Sequence, residues 1–135
     1  MPTQSKTLIK SRSTAFERQG GRCYYCDFPM WRSSIEQFTR FHGITLGQAR
    51  QFQCTAEHLR ARQDGGGDGR GNIVAACWVC NQRRHKRKYP LTPDVYRGLV
   101  QQRLDQGRWH VNWLPNKLPM VRRVGLANAV IGIND

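Results

Sequence analysis

The chain is short of acidic residues: nine Asp and Glu stand against 22 Lys and Arg, a formal charge of +13 over 135 residues. An excess of this size in a small protein favours a polyanionic partner, and nucleic acid is the commonest one. Ribosome or membrane-surface binding gives a similar balance, so the charge names a class of partner and no activity. Long apolar runs are missing as well. None approaches the roughly 18 to 20 residues needed to span a bilayer, which argues against a membrane partner. The opening Met1-Pro2-Thr3-Gln4-Ser5-Lys6 lacks the apolar stretch of a signal peptide, so a reducing, cytoplasmic location is expected. There is no dimerisation heptad. A hydrophobic fraction of 39% and a mean hydropathy of -0.67 leave only a modest core for one domain.

Cysteine is what the chain does have. Four of the five form two C-x-x-C pairs, Cys23-Tyr-Tyr-Cys26 and Cys77-Trp-Val-Cys80. Each pair sets two sulfurs on one tight knuckle, and two knuckles complete the tetrahedron of a structural zinc ion. In a chain that is not exported such thiols read as metal ligands rather than disulfides. A staple is useful here, because below roughly 70 to 80 ordered residues a core alone rarely holds. The fifth cysteine, Cys54, reads as a small core residue.

The local signals predict an α+β domain over residues 13–107, after a flexible basic arm at 1–12 and before an extension of unclear structure at 108–135. Thr14-Ala15-Phe16-Glu17 has the form of a capping box, with Gly20 as the stop. Ser34 and Thr45 open two more helices, a helical insertion over about 33–52, for which Ile35, Phe38, Phe41, Leu46 and Phe52 supply packing. Phe52 to Leu59 and Ile73 to Ala76 read as strands around a glycine-rich loop at 64–71. A helix then begins near Val79 and continues until Pro90 stops it, giving a strand, loop, strand, helix unit at about 52–88. Thr92 and Pro93 open a last helix that ends at Gly107.

Cys23, Cys26, Glu57-His58, Gly65-Gly66, Gly71-Asn72-Ile73-Val74, Cys77 and Cys80-Asn81 stand in an order and at spacings that resemble the zinc-containing HNH endonucleases of the ββα-metal class, over about Arg22 to Lys88. The resemblance implies a metal-dependent nuclease, of bacterial or phage-encoded type, acting on duplex or branched DNA, with RNA not set aside. It implies that His58 is the general base and that the side-chain carbonyl of Asn72 orients its imidazole. Glu57 and Asn81 are then the protein ligands of a catalytic Mg2+ or Mn2+, and the products carry 5'-phosphate and 3'-hydroxyl ends. An imidazole with a pKa near 6.5 suits the base role, and oxygen ligands with open positions suit a hard cation. Many family members have Asp or His where this chain has Glu57, whose carboxylate reaches one methylene further.

The same residues have plainer readings. Asn72 after Gly71 is a common turn residue, and Asn81 a common helix cap. His85 reads as a solvated helix residue rather than a phosphate contact or a metal ligand in place of Asn81. Arg83, Arg84, Lys86, Arg87 and Lys88, with Arg60, Arg62 and Arg70 beside the glycine loop, form the expected phosphate grip. Trp78 is expected in the core. Trp109 and Trp113 either stack on bases or cover the domain, while His42 and His110 carry no signal. The competing class is a non-catalytic zinc-knuckle module that only binds nucleic acid; it needs the cysteines and the charge, but not Glu57, His58, Asn72 and Asn81 together.

Overall fold

The computed structural model describes residues 4–110. Helix α1 (Lys6–Arg18) starts well before the capping box at Thr14, and residues 6–12, expected as a loose arm, are its first two turns. Ser5 is the cap, its hydroxyl accepting from Leu8 N at 3.0 Å. Leu8, Ser11 and Ala15 are buried along one face, while Lys6 and Lys10 are left in solvent. The run looks like an arm because its charges are dense, yet they fall on the outer side of an amphipathic helix.

Helices α2 (Ile35–His42) and α3 (Leu46–Arg50) start at Ser34 and Thr45 as expected, and Thr45 with Gln48 closes a complete capping box. Gly43, at φ 66°, ends α2 in a conformation costly for other residues. Phe38 and Phe52 reach the core. Phe41 and Leu46 do not: they are 84% and 47% exposed, because this short peripheral pair buries only one side of each helix.

The centre is an antiparallel ribbon of β1 (Cys54–His58) and β2 (Ile73–Cys77), with Cys54 opposite Cys77 at one end and His58 opposite Ile73 at the other. All of β2 is buried. Its outer edge is occupied by the Gln19 side chain, whose Oε1 accepts from Ala75 N at 2.9 Å and whose Nε2 donates to Ala75 O at 2.8 Å. Helix α4 (Trp78–His85) follows β2 directly and packs on both strands, completing the ββα unit. It stops at His85 rather than running to Pro90; Lys86 caps it, and Arg84 Nε donates to Leu91 O at 2.9 Å, turning the chain back early.

Helix α5 (Pro93–Asp105) has Pro93 in its first turn and is followed by Gly107 at φ 68°. Tyr96 on it donates to Cys80 O at 2.7 Å. Cys54 lies in the core, where burial pushes its thiol up to about 11. Trp113 and the extension from residue 111 onward lie outside the described residues. Among the described residues no helix is long and apolar enough to cross a membrane.

Candidate active site

The four paired cysteines converge at the closed end of the ribbon, all buried, with their sulfurs within 4.8 Å of one another. Zinc with bonds of about 2.3 Å sets its sulfurs roughly 3.8 Å apart, and Cys26 Sγ lies 3.9 Å from Cys77 Sγ. Backbone N–H groups of Tyr25 and Cys77 point at Cys23 Sγ (3.3 and 3.2 Å), and Trp109 Nε1 at Cys80 Sγ (3.3 Å), as suits thiolates. Burial pushes the thiols of Cys26, Cys77 and Cys80 up. Cys23, although equally buried, is drawn down because the other three thiols hydrogen-bond to it. Four buried thiolates side by side need a cation to offset their desolvation and mutual repulsion. The donor set therefore fits a structural zinc ion. Trp109 covers this centre, and Arg83 stacks on its ring at 4.7 Å.

The other end of the ribbon opens into the glycine-rich loop. Asn72 holds it together: Oδ1 accepts from Arg60 N at 2.8 Å, and Nδ2 donates to Arg60 O at 3.0 Å and Gly67 O at 2.8 Å. Its carbonyl is therefore not on the imidazole of His58, contrary to expectation. Residue 72 lies past the last ladder pair and faces the loop backbone. Gly66 is fixed by close approach, since a Cβ there would sit 1.8 Å from Arg60 O. His58 Nε2 instead meets Asp68 Oδ1 at 2.8 Å. That hydrogen bond, and next the one from the Ser5 hydroxyl, hold the Asp68 carboxyl below its usual range. Arg62 Nε lies 3.3 Å from the same nitrogen.

Glu57 is 2% exposed, and its two oxygens have different company. Oε2 accepts from Tyr25 OH at 2.8 Å and from Arg84 at 2.9 Å; Oε1 lies 3.0 Å from His85 Nε2. A buried carboxylate without such partners would cost several kcal/mol, roughly. Burial, then the charge of Glu57, pushes the Tyr25 phenol up, so it stays a donor. Asn81 lies one turn before His85, its amide nitrogen donating to Thr55 Oγ1 at 3.0 Å and Ala56 O at 3.3 Å, which leaves Oδ1 as the atom it can offer. An octahedral cation with bonds of about 2.1 Å places adjacent ligands about 3.0 Å apart. The Glu57–His85 spacing matches that edge, so the carboxylate and the imidazole fit two adjacent positions around a small divalent ion, with Asn81 one turn away on α4. No hydrogen bond or ion pair joins His58 to Glu57 or Asn81 among the described residues. The two groups approach the ribbon end from either side, as neighbours on a strand must.

Arg84 is not part of a phosphate grip. Its side chain is 9% exposed and paired with Glu57. Arg60, Arg62, Arg70, Lys86, Arg87 and Lys88 are exposed, the last two beyond the end of α4; Arg83 is exposed but engaged with Trp109. His85 is shared by two surface depressions. One holds Arg60, Arg62 and Pro93, the other Thr55, Trp78 and Asn81. Trp78, expected in the core, is 43% exposed there, because the first turn of α4 turns Val79 and Cys80 inward instead. His110 is buried against Phe28 and Phe52, which lowers its pKa to about 4.

A ββα unit pinned by four cysteines, with an acid-histidine pair at its open end, defines a class of small metal-pinned domain. Residues 23–87 match the family model described as HNH endonuclease. Comparison with curated proteins and with solved structures gives no match.

Proposed function

We propose that the protein is a metal-dependent HNH endonuclease that hydrolyses DNA phosphodiester bonds, nicking or cutting to leave 5'-phosphate and 3'-hydroxyl ends. The observation that carries this reading is the approach of His85 Nε2 to Glu57 Oε1, 3.0 Å, one turn from Asn81 and next along the strand to His58. In this reading Glu57, Asn81 and His85 hold the catalytic Mg2+ or Mn2+. When bound, that ion supplies positive charge to the phosphate and to the leaving oxygen. His58 takes the proton of the attacking water, a role worth about 10²- to 10⁴-fold in rate. Arg60 and Arg62, and the Lys86 to Lys88 stretch, hold the strand by its phosphates without reading sequence.

A second reading has one observation in its favour. Arg84 and Tyr25 already satisfy Glu57 Oε2, so the carboxylate is stable as a structural ion pair, as it would be in a zinc module that only binds nucleic acid. Under the nuclease reading the same pair has a different consequence: with one negative charge already balanced, a divalent ion binds firmly only when a phosphate arrives with it.

The two are separated by incubating supercoiled plasmid with the zinc-loaded protein and Mg2+ or Mn2+, beside a His58→Ala variant. The expected result is nicked or linear plasmid, blocked by chelation of the added metal and lost in the variant. A folded, zinc-loaded wild type that leaves DNA and RNA intact across several metals establishes the binding module instead.

A further inference from the structure

We propose that Asp68 is the positioning residue of His58, and that helix α1, through its cap Ser5 and through Ser11, holds Asp68 in place from near the start of the chain. The proposal rests on the nuclease reading of His58 and adds a residue to it. Asp68 Oδ1 lies 2.8 Å from His58 Nε2. An ionised carboxylate only accepts hydrogen bonds, so the contact assigns the ring proton to Nε2 and leaves the lone pair on Nδ1. Nδ1 is then the atom that receives the proton from water. Arg62 Nε also directs its N–H at Nε2, at 3.3 Å, but the shorter contact decides the tautomer: a bare Nε2 would face an acceptor-only carboxylate at 2.8 Å with no proton between them. Arg62 rests on the carboxylate as well, its terminal nitrogen 3.2 Å from Oδ1.

Asp68 stands between Gly67 and Gly69, whose carbonyls accept from the side chain and backbone of Asn72, while its own carbonyl and carboxylate are held from outside the loop. The hold comes from α1. Ser5 Oγ donates to Asp68 Oδ2 at 3.0 Å, and Ser11 Oγ, buried, donates to the Asp68 carbonyl at 2.7 Å. One serine fixes the backbone of residue 68 and the other turns its carboxylate, so that Oδ1 faces the imidazole. Asn72 closes the loop on itself, and among the described residues no hydrogen bond joins it to His58 or Asp68. A His–carboxylate pair of this kind orients the base and fixes its tautomer without becoming protonated itself.

The full-length, zinc-loaded protein is used, with wild type, Asp68→Ala, Ser11→Ala and His58→Ala compared in steady-state cleavage and by 15N resonances of the His58 imidazole under alkaline conditions. Wild type is expected to show Nε2 protonated and Nδ1 bare, and Asp68→Ala a mixture of the two tautomers. In Asp68→Ala kcat falls roughly 10²-fold with KM within about twofold, and added formate restores part of the rate, which it does not do for His58→Ala. Ser11→Ala gives a smaller loss of kcat, about tenfold or less, in the same direction. The proposal is overturned by an unchanged imidazole spectrum, by a loss that appears in KM alone, or by a kcat loss that formate leaves untouched. A wild type that cleaves nothing removes the nuclease reading, and the imidazole spectrum then still decides whether Asp68 sets the tautomer.

Discussion

The two ends of one short ribbon are built on different principles. At the Cys54–Cys77 end, four thiols are buried and surrounded by Tyr25, Tyr96 and Trp109. At the His58–Ile73 end, about 14 Å away at the usual rise per strand residue, polar groups meet on a loop whose conformation depends on Asn72 and Gly66. The first end has one strong interaction that everything else shields. The second has many moderate ones, open to water or a phosphate around His58 and Asp68 and closed to both at the buried Glu57–Arg84 pair. The first therefore governs whether the chain folds, and the second what the folded chain does.

The largest effect should come from Cys77→Ser. Metal binding and folding are one process at such sites, at about 10 kcal/mol or more, so the variant should hold no zinc and show no cooperative melting transition. A variant that melts like the parent would erase the distinction between the ends. Arg84→Met tests the boundary between them. Removing one partner of a buried pair costs about 3–5 kcal/mol, so its denaturation midpoint should fall well below that of the parent while zinc content stays at one per chain. If the midpoint is unchanged, Glu57 is stabilised by something other than this pair.

Gly66→Ala should act on the open end only. The added methyl collides with Arg60 O and costs about 1–3 kcal/mol of strain. Cleavage should fall by about 10²-fold as the loop shifts, with zinc content and ribbon amide protection retained. Zinc loss in this variant would mean the ends are coupled. The smallest effect is expected from Lys86→Ala, Arg87→Ala and Lys88→Ala. Each should reduce the slope of log affinity against log salt by roughly 1 and leave kcat alone. A slope that does not move places the DNA elsewhere.

How far the sequence revealed this arrangement depended on the range of each interaction. Ser34, Thr45 and the Thr92-Pro93 pair act within one turn, and the helices they open are where local chemistry put them. The cysteine pairs were legible because metal geometry constrains their spacing. Helical phase would also have separated the basic residues of α4: Arg84 is four positions from buried Cys80, and His85 four from Asn81. Treating the run as a uniform charge hid one buried residue and one candidate ligand. The same phase turns Trp78 outward beside Val79 and Cys80. Asp68, Ser5 and Gln19 had no signal at all, since their partners lie 10 to 63 positions away. Ser5 was further masked by Thr14, a better capping sequence that lies in the middle of α1.

Gln19 has a consequence for where this domain can be cut. The segment that matches the family begins at residue 23, four positions after the side chain that occupies both backbone groups of Ala75. A fragment excised at residue 23 would retain every cysteine of the cluster and both strands, and Tyr24 N would still reach Ala75 O, yet Ala75 N would lose its acceptor and part of the strand edge would open to any neighbouring molecule. The portable unit therefore extends at least through α1, and a minimal fragment made without it should self-associate as its concentration rises.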